Sequence, residues 1–241
     1  MSFHTVDEVE EYIRNVLGIP YVNLDSFHLD VCMEIVSTLE EVFSKYPLLK
    51  GTICSIGQRE DINNQINLIL ASDIDEGWKM EDWEEIKKES NFMSCHGTKS
   101  DCHITYISLA FLERAKILNL NEQNYKLMWE SIHSIHPEHC YDFRSSIWHE
   151  IGHIFDYVLT ITARKDFLEK LSEINVSCDI SKYAATSPRE TFAEAFAEYH
   201  STNYPNDAVS SIVEIALQEY KKREKKKSQI FQISKKYKYT K

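Results

Sequence analysis

His149 and His153 stand four residues apart, with Glu150 directly after the first, in the run His149-Glu150-Ile151-Gly152-His153. On a helix that spacing stacks both imidazoles on one face, about one turn apart, so both reach a single cation. Glu150 lies beside them and can take a proton from water on that cation without ligating it. An H-E-x-x-H run on a helix is therefore a pattern for metal-assisted hydrolysis. The flanking Ile147, Trp148, Ile151, Ile154, Phe155 and Val158 give such a helix a surface to bury. The plain alternative is a pair of helix-face histidines that bind nothing.

A catalytic zinc takes three protein ligands and keeps a fourth position open. A third ligand just behind the motif requires Gly at 156 and His or Asp at 159, but Asp156 and Leu159 stand there. The other source is an acid on a later helix. The run Pro188 to Glu198 offers Glu190, Glu194 and Glu198 at i, i+4 and i+8, hence on one face. Phe192 and Phe196, with Ala193, Ala195 and Ala197, make this helix half buried. Acids on a buried helix require partners, which a cation and its histidines would supply. On spacing alone all three acids are eligible.

Hydrophobic periodicity predicts the elements that position these residues. Helices are expected over Val6 to Leu17, over Leu29 to Tyr46 with Pro47 as its stop, and over Leu120 to Ile135 ahead of Pro137. Further helices are expected over Ser145 to Thr162, Asp166 to Ile174, Ser187 to Ser201 and Asp207 to about Lys227. Pro188 suits a first helical turn, where a missing N–H costs little. Thr52 to Ile56, Gln65 to Ala71 and His103 to Leu109 read as strands, and Asp73 to Glu89 as an acidic helix carrying Trp78 and Trp83. The class is α+β: helix-rich, with a small sheet and a mainly helical C-terminal half.

The pattern His149 to His153, then Tyr183, then Glu190-Thr191-Phe192-Ala193-Glu194-Ala195-Phe196, resembles the catalytic domain of anthrax lethal factor and its compact relatives, the clostridial Pro-Pro endopeptidases. Asp156, three residues past the second histidine, fits the same pattern. The likeness covers roughly Ser145 to Ser201. It implies a zincin-like metallopeptidase over residues 1–220, followed by a basic tail over 221–241. It also implies that His149, His153 and Glu190 hold one zinc ion and that Glu150 is the general base for the attacking water. Glu194 would accept from a ligating histidine and fix its tautomer, while Tyr183 would donate its phenol to the developing oxyanion. Thr191 departs from the family, where an aromatic is familiar; the departure touches packing and leaves the ligand set intact. In such folds a peptide substrate adds itself to an exposed sheet edge, and His103 to Leu109 is the strand read for that edge.

Charge narrows the partners. The chain has 241 residues and a formal charge of -11, but Lys221 to Lys241 holds ten Lys or Arg against one acid, leaving the rest at net -20. So acidic a body argues against a nucleic-acid footprint, and the partner expected is a protein or peptide substrate. A solvated helix end with a frayed terminus is the plain reading of the basic segment; an anion-binding role is its rival. A hydrophobic fraction of 43% with only 6 Gly and 5 Pro excludes a disordered or fibrous chain. No run is long and apolar enough for a transmembrane helix. The acidic N-terminus lacks the basic start and apolar stretch of a secretory signal. The expectation is a cytoplasmic protein or one delivered without a classical signal; a signal already removed would leave the same sequence. The pattern is equally compatible with a processing protease and with a toxin or effector acting inside another cell.

Six cysteines (Cys32, Cys54, Cys95, Cys102, Cys140 and Cys178) form no C-x-x-C pair and read as thiols of a reducing compartment. Cys95-His96 and Cys102-His103 make a paired pattern without the spacing of a familiar closed zinc site. His133, His136 and His139 read as ordinary turn or surface histidines. Two other functions compete with the peptidase: an inactive homologue that binds zinc as an interaction module, and a nucleic-acid- or membrane-associated protein acting through the basic segment. The first has no need of Glu150 and Tyr183.

Overall fold

The computed structural model describes residues 2–25, 27–58, 93–100, 103–111, 118–134 and 140–238, with side chains described over 2–25, 27–58, 118–129 and 140–227. Contacts divide the chain into two units, Met1–Lys126 and Leu127–Lys241. The described elements are helices and one small sheet, an α+β composition. Among the described residues no helix is long and apolar enough to cross a membrane.

In the first unit, Thr5 caps α1 (Val6–Tyr12) by accepting from the Glu8 N–H. The coil continues as a π-helical turn over Ile13–Leu17 and ends at Gly18, whose φ of 79° favours glycine. The expected helix over Val6 to Leu17 thus forms in two segments. α2 (Leu29–Lys45) stops at Tyr46, before Pro47 opens a short 3₁₀ turn. Val9, Ile13, Val31, Ile35, Leu39 and Val42 are buried, so both helices sink the faces their periodicity marked.

The sheet holds β1 (Tyr21–Asn23), β2 (Ser55–Gln58), β3 (Met93–Ser100) and β4 (His103–Phe111) in the order β1-β2-β4-β3. β1 and β2 run parallel, as do β2 and β4, while β3 closes antiparallel on β4. This narrows one expectation. The strand read as a free edge, His103 to Leu109, pairs with β3 on one side, and among the described residues β2 covers its other side only from Ser108 to Phe111. Alternation within a strand reports its two faces and carries no information about its two sides. β3 itself, with Gly97, Thr98 and Lys99, shows no apolar alternation to announce it.

α3 (Leu120–Ser134) spans the boundary between the units. The second unit holds α4 (Phe143–Leu159), α5 (Lys165–Glu173), α6 (Val176–Asp179), α7 (Pro188–Ser201) and α8 (Asp207–Lys238). α4 begins two residues before the expected start because Asp142 caps it, accepting the Ser145 N–H at 2.6 Å. It ends three residues early. Thr160 turns left-handed at φ 56°, and the Asp156 carboxylate accepts the Thr162 N–H at 2.7 Å and hydroxyl at 2.8 Å. α7 is capped by Ser187, which accepts from Glu190 N, with Pro188 at its first turn as expected. Phe155 on α4 meets Phe192 and Phe196 on α7 and Tyr220 on α8, and Phe167 on α5 closes against Phe192. This aromatic cluster forms the core behind the motif.

α8 carries the basic segment on as helix to Lys238. Its Arg223 donates to the Val158 and Leu159 carbonyls at 2.8 and 3.1 Å, satisfying groups that the end of α4 leaves open. The sequence expectations for Gln65 to Ala71, for Asp73 to Glu89 with Trp78 and Trp83, and for Cys102, His136 and His139 lie outside the described residues. So do the side chains of Cys95, His96, His103 and His133.

Candidate metal centre

The centre lies wholly in the second unit and is built by the approach of α7 to α4. Gly152, inside the H-E-x-x-H run, permits that approach. A Cβ on it would stand 2.9 Å from Ala193 Cα and 3.2 Å from Phe196 Cβ. The small face of α7, with Ala193 and Ala197 buried beside Phe196, supplies the other side of the seam. At this separation the acids of α7 come over the histidines of α4.

His149 Nε2 and His153 Nε2 lie 3.2 Å apart. Glu190 Oε2 lies 3.3 Å from the first and 3.4 Å from the second. Three atoms each ~2.05 Å from a common centre, at tetrahedral angles, would be separated by about 3.3 Å, using ordinary zinc–ligand distances. The donor set of two imidazole nitrogens and one carboxylate oxygen suits zinc far better than calcium or magnesium, which take mainly oxygens. Glu190 Oε2 is buried and makes no hydrogen bond within the chain. Its nearest polar neighbours are the two imidazole nitrogens, an arrangement that a shared cation would satisfy. The residues thus fit the ion that the sequence implies.

Glu194, one turn along α7, meets the other nitrogen. Its Oε1 accepts from His149 Nδ1 at 2.8 Å. With the proton held at Nδ1, the Nε2 lone pair is free to face a cation. The Glu194 side chain is only 2% exposed, and its Oε2 accepts from the Ser181 hydroxyl at 3.1 Å. Ser181 Oγ in turn accepts the Ala184 N–H at 2.9 Å. Glu198, the third acid of the stripe and one turn further along α7, accepts from Asn206 Nδ2 at 3.3 Å. Spacing left three acids eligible; the fold brings Glu190 to both Nε2 atoms, Glu194 to His149 Nδ1 and Glu198 to Asn206.

These charges move the titrations. Burial would push the His149 imidazole down, but the Glu190 and Glu194 carboxylates outweigh it and carry it well above the ordinary imidazole range. Burial would push the Glu190 carboxyl up, and the two imidazoles outweigh that, holding it well below the ordinary carboxylate range. Both shifts have one cause, the clustering of two carboxylates around the imidazoles, which favours positive charge between them.

Glu150 is buried at 6% exposure on α4, next to His149, and its charge adds to the upward push on that ring. The half-buried Tyr183 ring lies 6.1 Å from the His149 ring, centre to centre. Thr191, where the family resemblance fails, gains a role here: its hydroxyl reaches the Ala184 carbonyl at 2.8 Å and the Ser187 carbonyl at 3.0 Å. It thereby ties the turn behind Tyr183 to α7. Asp156 stands 3.8 Å from Arg189, so one acid links the end of α4 to the residue before Glu190. Sequence reasoning missed Ser181, Gly152 as a packing device, and Arg223. Ser181 offers no spacing signal, and the other two act through neighbours distant in sequence.

No family model matches the chain, and comparison with curated proteins and with solved structures likewise returns no match.

Proposed function

We propose that this chain is a zinc-dependent endopeptidase of zincin-like fold, akin to the lethal factor and Pro-Pro endopeptidase group, acting on a protein or peptide substrate. The reading is carried by one observation. His149 Nε2, His153 Nε2 and Glu190 Oε2 lie 3.2 to 3.4 Å from one another, the separation that ligands of a tetrahedral zinc adopt. Bound there, zinc would supply the Lewis acidity that acidifies water and polarises a carbonyl.

The chain's own residues account for the remaining requirements of peptide hydrolysis. Glu150 is placed beside the first histidine to accept the proton of the attacking water and to hand it to the leaving amine. The Tyr183 phenol is the donor for charge that develops on the scissile carbonyl oxygen. Glu194 keeps His149 in the tautomer whose Nε2 can ligate. Burial of Glu150 and Glu194 limits competition from bulk water for the same hydrogen bonds.

The decisive experiment measures bound metal and cleavage of a mixed peptide library, for wild type and for Glu150→Gln. About one zinc per chain is expected in both, with cleavage slowed by about 10²–10⁴-fold in the variant. Glu190→Ala should lose zinc. Zinc in wild type without any cleavage would replace the peptidase with a zinc-binding interaction module, and no zinc at all would end both readings.

A further inference from the structure

We propose that Ser181 is a positioning residue for the metal centre: it orients Glu194, and through Glu194 the His149 ligand, while anchoring the turn that carries Tyr183. The inference rests on the zinc reading above for the identity of the ion and on the following geometry for everything else.

Ser181 is 5% exposed and lies just ahead of Tyr183. A serine hydroxyl has one hydrogen to donate. Here it points to Glu194 Oε2 at 3.1 Å, while the oxygen receives the Ala184 N–H at 2.9 Å. An ionised carboxylate only accepts, so the direction of the Ser181–Glu194 bond is fixed. The two oxygens of Glu194 are thereby divided: Oε2 takes Ser181, and Oε1 takes His149 Nδ1 at 2.8 Å. A carboxylate held at both oxygens in a buried site has little freedom to rotate, so neither has the imidazole it holds.

The same hydroxyl also shapes the Tyr183 turn. Ala184, immediately after Tyr183, is held through its N–H by Ser181 and through its carbonyl by Thr191 on α7. The chain returns on itself from Tyr183 O to Thr186 N at 3.0 Å. One hydrogen-bonded chain therefore runs from the Ala184 amide through Ser181 and Glu194 to His149. It couples the placement of the oxyanion donor to that of a metal ligand. Nothing at the sequence level marks Ser181, because it lies outside any helix and its partner is thirteen residues away on α7.

The test reads zinc affinity by competition with a chromophoric chelator, and so does not depend on finding a substrate. Ser181→Ala is expected to weaken zinc binding by about 10-fold, the low end for a group supporting a ligand from outside the ligand set. In a Glu194→Ala background the same change should have an effect of less than about twofold, because the route to His149 is already cut. Ser181→Thr keeps the hydroxyl and should stay within about threefold of wild type. Unchanged affinity in Ser181→Ala, equal losses in both backgrounds, or a threonine variant as weak as alanine would overturn the proposal. Independently of any variant's folding, amide exchange at Ala184 in the wild-type protein should slow on zinc loading, since the ion immobilises the far end of the chain of bonds. An unchanged rate would overturn it as well. Absence of peptide cleavage would sink the peptidase reading and leave this outcome standing; absence of zinc binding by wild type would end both.

Discussion

Glu190 and Glu194 are one helical turn apart on the same helix and serve opposite ends of the same imidazole. Glu190 approaches His149 Nε2 and Glu194 approaches Nδ1. The consequences of removing them should differ accordingly. Loss of Glu190 removes a ligand atom. Loss of Glu194 leaves the three candidate ligand atoms in place but frees the His149 tautomer and ring. We expect Glu194→Ala to weaken zinc binding by about 10–100-fold without abolishing it. Chelator competition on Glu190→Ala and Glu194→Ala side by side checks this, and a reversed order of severity would mean that the two roles are exchanged. The motif on α4 was legible at this scale, because four-residue spacing on a helix fixes which side chains share a face. Spacing did not assign roles among Glu190, Glu194 and Glu198, because all three share a face; the resemblance implied the roles of the first two, and the neighbours of that face distinguish them.

At the scale of elements, the centre depends on how closely α4 and α7 pack. Two effects oppose each other in Gly152→Ala. Alanine in a helix interior gains about 1 kcal/mol over glycine in propensity. Against that, its Cβ would stand 2.9 Å from the Ala193 Cα, a backbone atom that cannot rotate away. Overpacking of that kind costs about 1–3 kcal/mol, so the net expectation is a variant destabilised by up to about 2 kcal/mol. Because the candidate ligands are divided between the two helices, any forced separation should also weaken the zinc binding proposed above. Urea unfolding and zinc titration of Gly152→Ala measure both. A variant more stable than wild type, with unchanged affinity, would show that the seam is looser than described. Helix ends were less legible than helix cores. The extent of α4 was set by Asp142 at one end and by the Asp156–Thr162 bonds at the other, and α8 contributes Arg223 to its final carbonyls. Helix ends are satisfied by whichever acceptor or donor arrives, so local pattern leaves them open by a residue or more.

At the scale of the whole molecule, burial separates Cys32 from Cys178 in what each thiol can do. Cys32 in the first unit is buried. Burial, with the Glu10 and Asp30 charges adding to it, pushes its thiol from 9.0 up to about 12. Cys178 in the second unit is exposed. At pH 8, alkylation followed by site-resolved mass spectrometry should mark Cys178 in the folded protein and Cys32 only after unfolding. The same burial predicts a pH dependence. Between pH 9 and about 12 the unfolded chain has released the Cys32 proton and the folded chain retains it. Stability present below pH 9 is therefore lost as pH rises through that window. Cys32→Ala should show a flatter decline in urea midpoint over that range, and an unaltered slope would refute the assignment.

The amino-acid sequence by itself determined the helix-rich α+β class, the amphipathic faces of α1, α2, α4 and α7, and the pair of histidines with an acid between them. These follow from periodicity, which is a local property of the chain. The tertiary structure alone decided which acid meets which nitrogen, that Ser181 and Thr191 hold the Tyr183 turn, that Gly152 lets two helices close, and that β4 gains a second neighbour only from Ser108 onward. Each of those depends on what a residue faces across a gap, and the partner across the gap lies far along the chain, where spacing and periodicity carry no record of it.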